Sequence, residues 1–228
     1  MRKYLVIGNP IEHSLSPLIH NHWMKKYNLK DSVYEKRMVE EKDLKNVIEE
    51  IRKDEVVGVN VTVPFKKLII PFLDKLDFVA EETQSVNTLF KINNKIIGYN
   101  TDRAGFWDTI RKFYPPSNDP IVPPPLEGKR ILIIGAGGVT SSIISALKDE
   151  GANNIILSNR TKEKANELKK LFPGLEVLDW GKKLPICNIV INTTSVGLIK
   201  DEEIKIDFSE YDKNFHENLL FYDLIYNP

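Results

Sequence analysis

Two groups of residues in this chain have the types and spacing of working chemistry. In the first half, His13-Ser14-Leu15-Ser16-Pro17 lies where a loop runs into a helix. The hydroxyls of Ser14 and Ser16, with the free N–H groups of a helix start, make a site for a carboxylate that needs no counter-charge. Asn60-Val61-Thr62-Val63-Pro64-Phe65-Lys66 reads as a strand ended by a proline turn. It leaves Thr62 and Lys66 at the strand's carboxyl end, where α/β sheets bind ligands. Asn87 and Asp102 stand in two further polar segments, 85–88 and 98–102. Taken singly, Ser16 and Asp102 read as ordinary helix caps.

The second group is Gly135-Ala136-Gly137-Gly138, between a predicted strand and a predicted helix. That is the context of a dinucleotide loop: glycines let the backbone approach a pyrophosphate, and the helix N-terminus supplies donors. Where an NAD-preferring fold has an acid at the end of the second strand, this chain has Asn159-Arg160-Thr161. The planar fork of Arg160 suits a 2′-phosphate, which favours NADP over NAD. The bland alternative is a tight turn, followed by a capping Thr161 beside a solvated Arg160. The third small residue of the loop pattern falls at Thr140, larger than glycine or alanine.

The elements that position these groups alternate between strand and helix. Strands are expected at 3–8, 56–63, 130–134, 154–158, 188–192 and 219–225, and helices at 16–27, 41–53, 103–113, 139–148 and 161–172. Ile19, Trp23 and Tyr27 fall four apart and predict the buried stripe of the first helix, with Ser16 as its N-cap. Two β-type runs around Asn93-Asn94 predict a hairpin with a primed turn. Pro115, Pro116, Pro120, Pro123, Pro124 and Pro125 mark residues 114–126 as a linker or long loop. The predicted fold is α/β: an N-terminal α/β domain, 1–105, then a Rossmann-like doubly wound parallel sheet, 106–228.

Composition removes other classes. The 228 residues are 42% hydrophobic and 28% charged, which is globular rather than disordered. Lysine plus arginine number 32, as do aspartate plus glutamate, so the basic surplus of a nucleic-acid binder is missing. No apolar run approaches the roughly 18 residues that span a bilayer, and the N-terminal apolar run is too short for a secretory signal. Cys187 is the single cysteine, which excludes an internal disulfide and a cysteine-based zinc site. His13, His20 and His22 do not converge on one ion, so no metal is expected. A cytoplasmic protein, monomer or homodimer, without nucleic-acid or membrane partners, fits these features.

Together the segments carry a family pattern. Gly8-Asn9-Pro10-Ile11, His13-Ser14-Leu15-Ser16-Pro17, His20-Asn21, Asn60-Val-Thr-Val-Pro-Phe-Lys66, Val86-Asn87-Thr88, Asn100-Thr101-Asp102, Gly135-Ala-Gly-Gly138, Asn159-Arg160-Thr161 and Asp223…Tyr226-Asn227-Pro228 occur in this order. The chain resembles the shikimate dehydrogenase family. The resemblance implies NADPH-dependent reduction of 3-dehydroshikimate to shikimate. Ser14 and Ser16 would bind the substrate carboxylate, and Thr62, Asn87 and Asp102 the ring hydroxyls. Lys66 would sit beside the reacting oxygen as the catalytic group with Asp102, and Tyr226 would lie near the substrate. Gly135, Ala136, Gly137, Gly138 and Thr193 would hold the cofactor, with Asn159, Arg160 and Thr161 around its 2′-phosphate.

Three departures stand out. The family continues past Tyr-Asn-Pro with a strand, a loop beside the nicotinamide and helices returning to the first domain, one bearing a substrate-binding glutamine. Here the sequence stops at Pro228, so that segment is expected to be missing and an apolar face of the first domain uncovered. Val139-Thr140-Ser141-Ser142 replaces small residues followed by a basic one, and Gln84-Ser85 replaces the more usual Gly-Ala. The competing readings are a quinate/shikimate dehydrogenase of broader specificity and a truncated relative that binds ligand without turnover.

Overall fold

The computed structural model of the protein describes residues 1–119, 121–197, 204, 206–209, 211 and 219–225. The chain divides into two compact units, Met1–Asp102 and Arg103–Pro228.

In the first unit the order is β1 (Arg2–Gly8), α1 (Ser16–Lys26), β2 (Ser32–Met38), α2 (Leu44–Arg52), β3 (Gly58–Val61), α3 (Phe65–Leu68), β4 (Lys75–Leu76), α4 (Phe78–Thr83), β5 (Thr88–Ile92) and β6 (Lys95–Tyr99). The strands form one mixed sheet, β2-β1-β3-β5-β6-β4. β1 is parallel to β2 and β3, while β5 is antiparallel to β3 and β6. Alternation along β3 buries Val59 and Val61 on one face and leaves Asn60 on the other, opposite Thr88 of β5. The amphipathic α2 closes the core: Leu44, Val47, Ile48 and Ile51 pack with Leu5, Ile7, Val59, Val61, Leu89 and Ile96. Each such burial is worth about 2 kcal/mol. Asn93 and Asn94 have φ of 48° and 63°, the two positive values a type I′ hairpin turn requires.

Helix α1 departs from expectation. None of its residues is buried, and Ile19, Trp23 and Tyr27 are 44%, 49% and 68% exposed. Its packing face is instead His20, Asn21 and Met24, all half-buried. The Asn21 side chain donates from Nδ2 to Tyr34 O at 2.8 Å and accepts from Tyr34 N at 3.0 Å. His20 stacks on the Tyr34 ring at 4.2 Å and 7°. A helix docked by an amide pair and a ring stack has no apolar stripe to announce the docked face. Ser16 is not a side-chain cap either. It is the first helical residue after Leu15, which makes no capping side-chain bond; its N–H donates to Ser14 Oγ at 3.3 Å.

The Gln84 substitution has a structural reading. Gln84 ends α4 in the left-handed region, with φ 49° and ψ 41°, a conformation that costs a residue with a Cβ about 1 kcal/mol or more. Its Nε2 donates to Glu81 O at 2.7 Å.

The second unit takes most of α5 (Asp102–Phe113), then β7 (Arg130–Ile134), α6 (Thr140–Asp149), β8 (Asn154–Asn159), α7 (Lys162–Leu171), β9 (Glu176–Asp179), β10 (Ile189–Asn192) and β11 (Leu220–Asp223). The sheet is parallel throughout, in the order β11-β10-β7-β8-β9. Strand order reverses at β7, so the loop leaving β7 stands at the switch point where doubly wound sheets bind ligands. Phe106 and Ile110 of α5 join a core with Ile131, Ile133, Ile143, Ile144 and Ile189. The units therefore divide at the start of α5. The proline-rich stretch leads to Leu126, which is fully buried in this same core with its N–H on Glu150 O. It is a surface loop of the second unit.

Candidate functional site

In the first unit, three segments distant in sequence meet. Lys66 is the second residue of α3, immediately after the turn that ends β3. Its Nζ lies 2.6 Å from Asp102 Oδ2, with the two side chains 12% and 20% exposed. The other carboxylate oxygen, Oδ1, accepts from Asn87 Nδ2 at 3.0 Å. Backbone ladder bonds hold the three in place: Val86 N to Lys66 O at 2.8 Å, Asn87 N to Tyr99 O at 3.0 Å and Val61 N to Asn87 O at 2.9 Å. Asn87 is fixed further by Thr101, whose N–H donates to Oδ1 at 3.1 Å and whose Oγ1 accepts from Nδ2 at 2.8 Å. Asp102 is thus engaged as an anion between an ammonium and an amide, rather than as a helix cap. A positioned ammonium of this kind can stabilise charge on an oxygen and exchange a proton with it.

Thr62 follows β3, with its N–H on Ile7 O at 2.9 Å and its carbonyl accepting from Phe65 N at 2.9 Å. Its hydroxyl has no hydrogen-bond partner among the described residues. A Cβ at Gly8 would come within 2.6 Å of the Thr62 methyl carbon, so only glycine at the end of β1 admits this threonine. Ser14 and Ser16 are adjacent at the start of α1. Burial pushes the pKa of the Tyr34 phenol above its ordinary range, with the Ser16 side chain acting in the opposite direction. Tyr34 in turn donates to Asn60 Oδ1 at 2.6 Å. Burial likewise pushes the stacked His20 below the usual imidazole range.

Sequence reasoning missed five of these groups. Asn60, Thr88, Thr101 and Asn21 stood within the quoted motifs without a role. Period-two alternation in Gly58-Val-Asn-Val-Thr62 was a usable signal, since it puts two polar groups on one face of a buried strand. Tyr34 sits on β2, a strand that the sequence reading did not include. Tyr226 falls outside the described residues.

In the second unit the loop after β7 has the conformation a dinucleotide site needs. Gly135 has φ 110°, and a Cβ there would lie 2.7 Å from Thr193 Oγ1 and 2.9 Å from Thr194 N. Thr193 is buried, and its hydroxyl reaches Ile134 O at 3.0 Å and Gly135 O at 3.1 Å. It braces the loop with its hydroxyl. Thr140 is accommodated for a similar reason: fully buried, it bonds Gly135 O at 3.3 Å and shares a hydroxyl contact of 2.9 Å with Thr193. Ala136 N donates to Asn159 Oδ1 at 3.0 Å, and Asn159 Nδ2 donates to Thr161 O at 2.7 Å. Asn159 therefore ties the loop to the end of β8. Arg160 beside it is exposed and has no ion-pair partner among the described residues. A glycine loop with no room for a Cβ at Gly135, a helix start and an unengaged guanidinium fit an adenine dinucleotide bearing a 2′-phosphate.

Comparison with known proteins agrees with both halves. Residues 6–89 match the family model described as the shikimate dehydrogenase substrate binding domain. Residues 120–224 match that of shikimate/quinate 5-dehydrogenase. The shikimate dehydrogenase (NADP+) of Pelagibacter ubique is 48% identical over 227 residues, covering 100% of this chain and 80% of the relative. The crystal structure of the Aquifex aeolicus shikimate dehydrogenase superposes with a TM-score of 0.83 at 37% identity, covering 100% of this chain and 80% of that one. The Thermus thermophilus enzyme, solved with NADP(H) and shikimate, gives a TM-score of 0.72 at 29% identity, over 87% and 70% of the two chains. With the lysine–aspartate pair, the glycine loop and these relatives together, the chain belongs to the shikimate dehydrogenase family, the NADP-dependent oxidoreductases that interconvert shikimate and 3-dehydroshikimate.

Proposed function

We propose that the first unit binds shikimate or 3-dehydroshikimate, that the second binds NADP, and that Lys66 and Asp102 handle the proton of the reaction. When bound, the cofactor supplies or accepts the hydride. Lys66 is the group whose ammonium stabilises negative charge growing on the carbonyl oxygen and donates the proton that makes it a hydroxyl; in the oxidative direction it takes that proton back. Asp102 keeps the ammonium in place, and with Asn87 and Thr62 it selects ring hydroxyls. Ser14 and Ser16 take the carboxylate, and Tyr226 is a further substrate-binding residue. Gly135, Ala136, Gly137 and Gly138 cradle the pyrophosphate, Thr193 bracing them, and Asn159, Arg160 and Thr161 take the 2′-phosphate. The observation that carries this reading is the Lys66–Asp102 contact of 2.6 Å, with Asn87 3.0 Å from the second oxygen. The expected setting is the cytoplasm, and the expected assembly a monomer or homodimer. The buried, unpaired Cys187 suits a reducing compartment. No helix among the described residues is long and apolar enough to cross a membrane.

The test is Lys66→Ala. Turnover of shikimate with NADP should fall by about two to four decades, the span of a general acid–base residue. NADP affinity, measured by calorimetry, should stay within about twofold. Near-normal turnover in this variant would sink the assignment.

A further inference from the structure

Behind Asn87 the hydrogen bonds run in a single direction. Asn60 Nδ2 donates both to Asn87 O at 3.2 Å and to Thr88 Oγ1 at 2.9 Å. A backbone carbonyl only accepts, so the first bond fixes which way the Asn60 amide faces. The Tyr34 hydroxyl, donating to Asn60 Oδ1 at 2.6 Å, agrees with that orientation. The Thr88 oxygen must therefore accept from Asn60, and its one hydrogen goes to Asn87 Oδ1, 3.0 Å away. An Asn87 amide that accepts on this side presents its NH2 group on the other, to Asp102 Oδ1.

We infer that Thr88 is a positioning residue: its hydroxyl, with its direction set by Asn60, holds the Asn87 amide so that Nδ2 faces Asp102 beside Lys66. The inference rests on the reading of Lys66 and Asp102 given above. The Thr101 hydroxyl cannot set the orientation, since it both accepts from Asn87 Nδ2 at 2.8 Å and lies 3.2 Å from Oδ1 as a donor. The Thr101 N–H does specify it, but that bond is solvent-exposed and open to competition from water. The Thr88 bond is part-buried and is the second group that specifies it from inside the sheet. A flipped amide would aim Oδ1 at the Asp102 carboxylate and loosen the carboxylate that holds Lys66.

Two substitutions separate the hydroxyl from the shape. Thr88→Val keeps the volume and removes the donor; Thr88→Ser keeps the donor and removes the methyl. The valine variant should lose about five- to tenfold in kcat, the scale of one neutral hydrogen bond. Its NADP affinity should not change. The serine variant should stay within about twofold of the parent. Should the valine variant fail to fold, Thr88→Ala is the second hydroxyl-less form and carries the same expectation. Unchanged kcat in the folded hydroxyl-less variant, or a serine variant as impaired as it, overturns the inference. Lys66→Ala measured alongside keeps the two readings apart. If it turns over normally, the site assignment fails; if it is inactive while Thr88→Val is normal, only the role of Thr88 fails.

Discussion

The two candidate binding regions are built from different material. In the first unit the working groups are side chains gathered from five separate stretches of chain: Ser14 and Ser16, Tyr34, Asn60 to Lys66, Asn87 and Thr88, and Thr101 and Asp102. Several are held by other side chains, as Asp102 is held between Lys66 and Asn87. In the second unit the binding surface is largely backbone, the loop after β7, kept open by glycine and braced by the buried hydroxyls of Thr140 and Thr193. The first region should be sensitive to single polar atoms, and the second to added carbon.

Asp102→Asn tests the first half of that contrast and should have the largest effect. The carboxylate is replaced by an amide of the same shape, so either the Lys66 ammonium or the Asn87 NH2 group meets another donor. Turnover is expected to fall at least about a hundredfold, the lower bound for a group acting in proton transfer, with the melting temperature near that of the parent. A loss below tenfold would mean that charge matters little there. Gly135→Ala tests the second half. The added methyl at φ 110° lies 2.7 Å from Thr193 Oγ1, and strain of this kind costs about 1–3 kcal/mol. NADP affinity should drop about ten- to a hundredfold, while shikimate binding, followed by calorimetry, is retained. Equal loss of both ligands would show that the two regions are not separable. Arg160→Gln should have the smallest effect. It tests the one charged side chain assigned to the cofactor site, and the affinity for NADP relative to NAD should fall about tenfold, the scale of one charge-assisted hydrogen bond. An unchanged ratio would return Arg160 to solvent.

The same contrast explains what could be read from the sequence. The loop of the second unit was legible because it is local: a glycine cluster between a continuous apolar strand and a helix needs no tertiary information. The hairpin was legible for the same reason, through Asn93 and Asn94. In the first unit the residue types of the site were visible, but their mutual contacts were not, because Lys66, Asn87 and Asp102 meet only through the β3-β5-β6 ladder. The helix α1 misled because its docked face is led by His20 and Asn21, polar residues that pair with Tyr34, while Leu18, Ile19 and Trp23 face outward. Gln84 could not be interpreted from sequence alone, since the left-handed backbone that gives it meaning is a property of the folded helix end.

The single hydrogen of Tyr34 bears on affinity as well as geometry. The phenol gives it to Asn60 Oδ1 at 2.6 Å, so toward every other neighbour Tyr34 can only accept. On the proposed reading, a carboxylate arriving at Ser14 and Ser16 takes its hydrogens from the serines and receives none from Tyr34. Tyr34→Phe would leave that supply of donors unchanged, at the expense of the bond to Asn60.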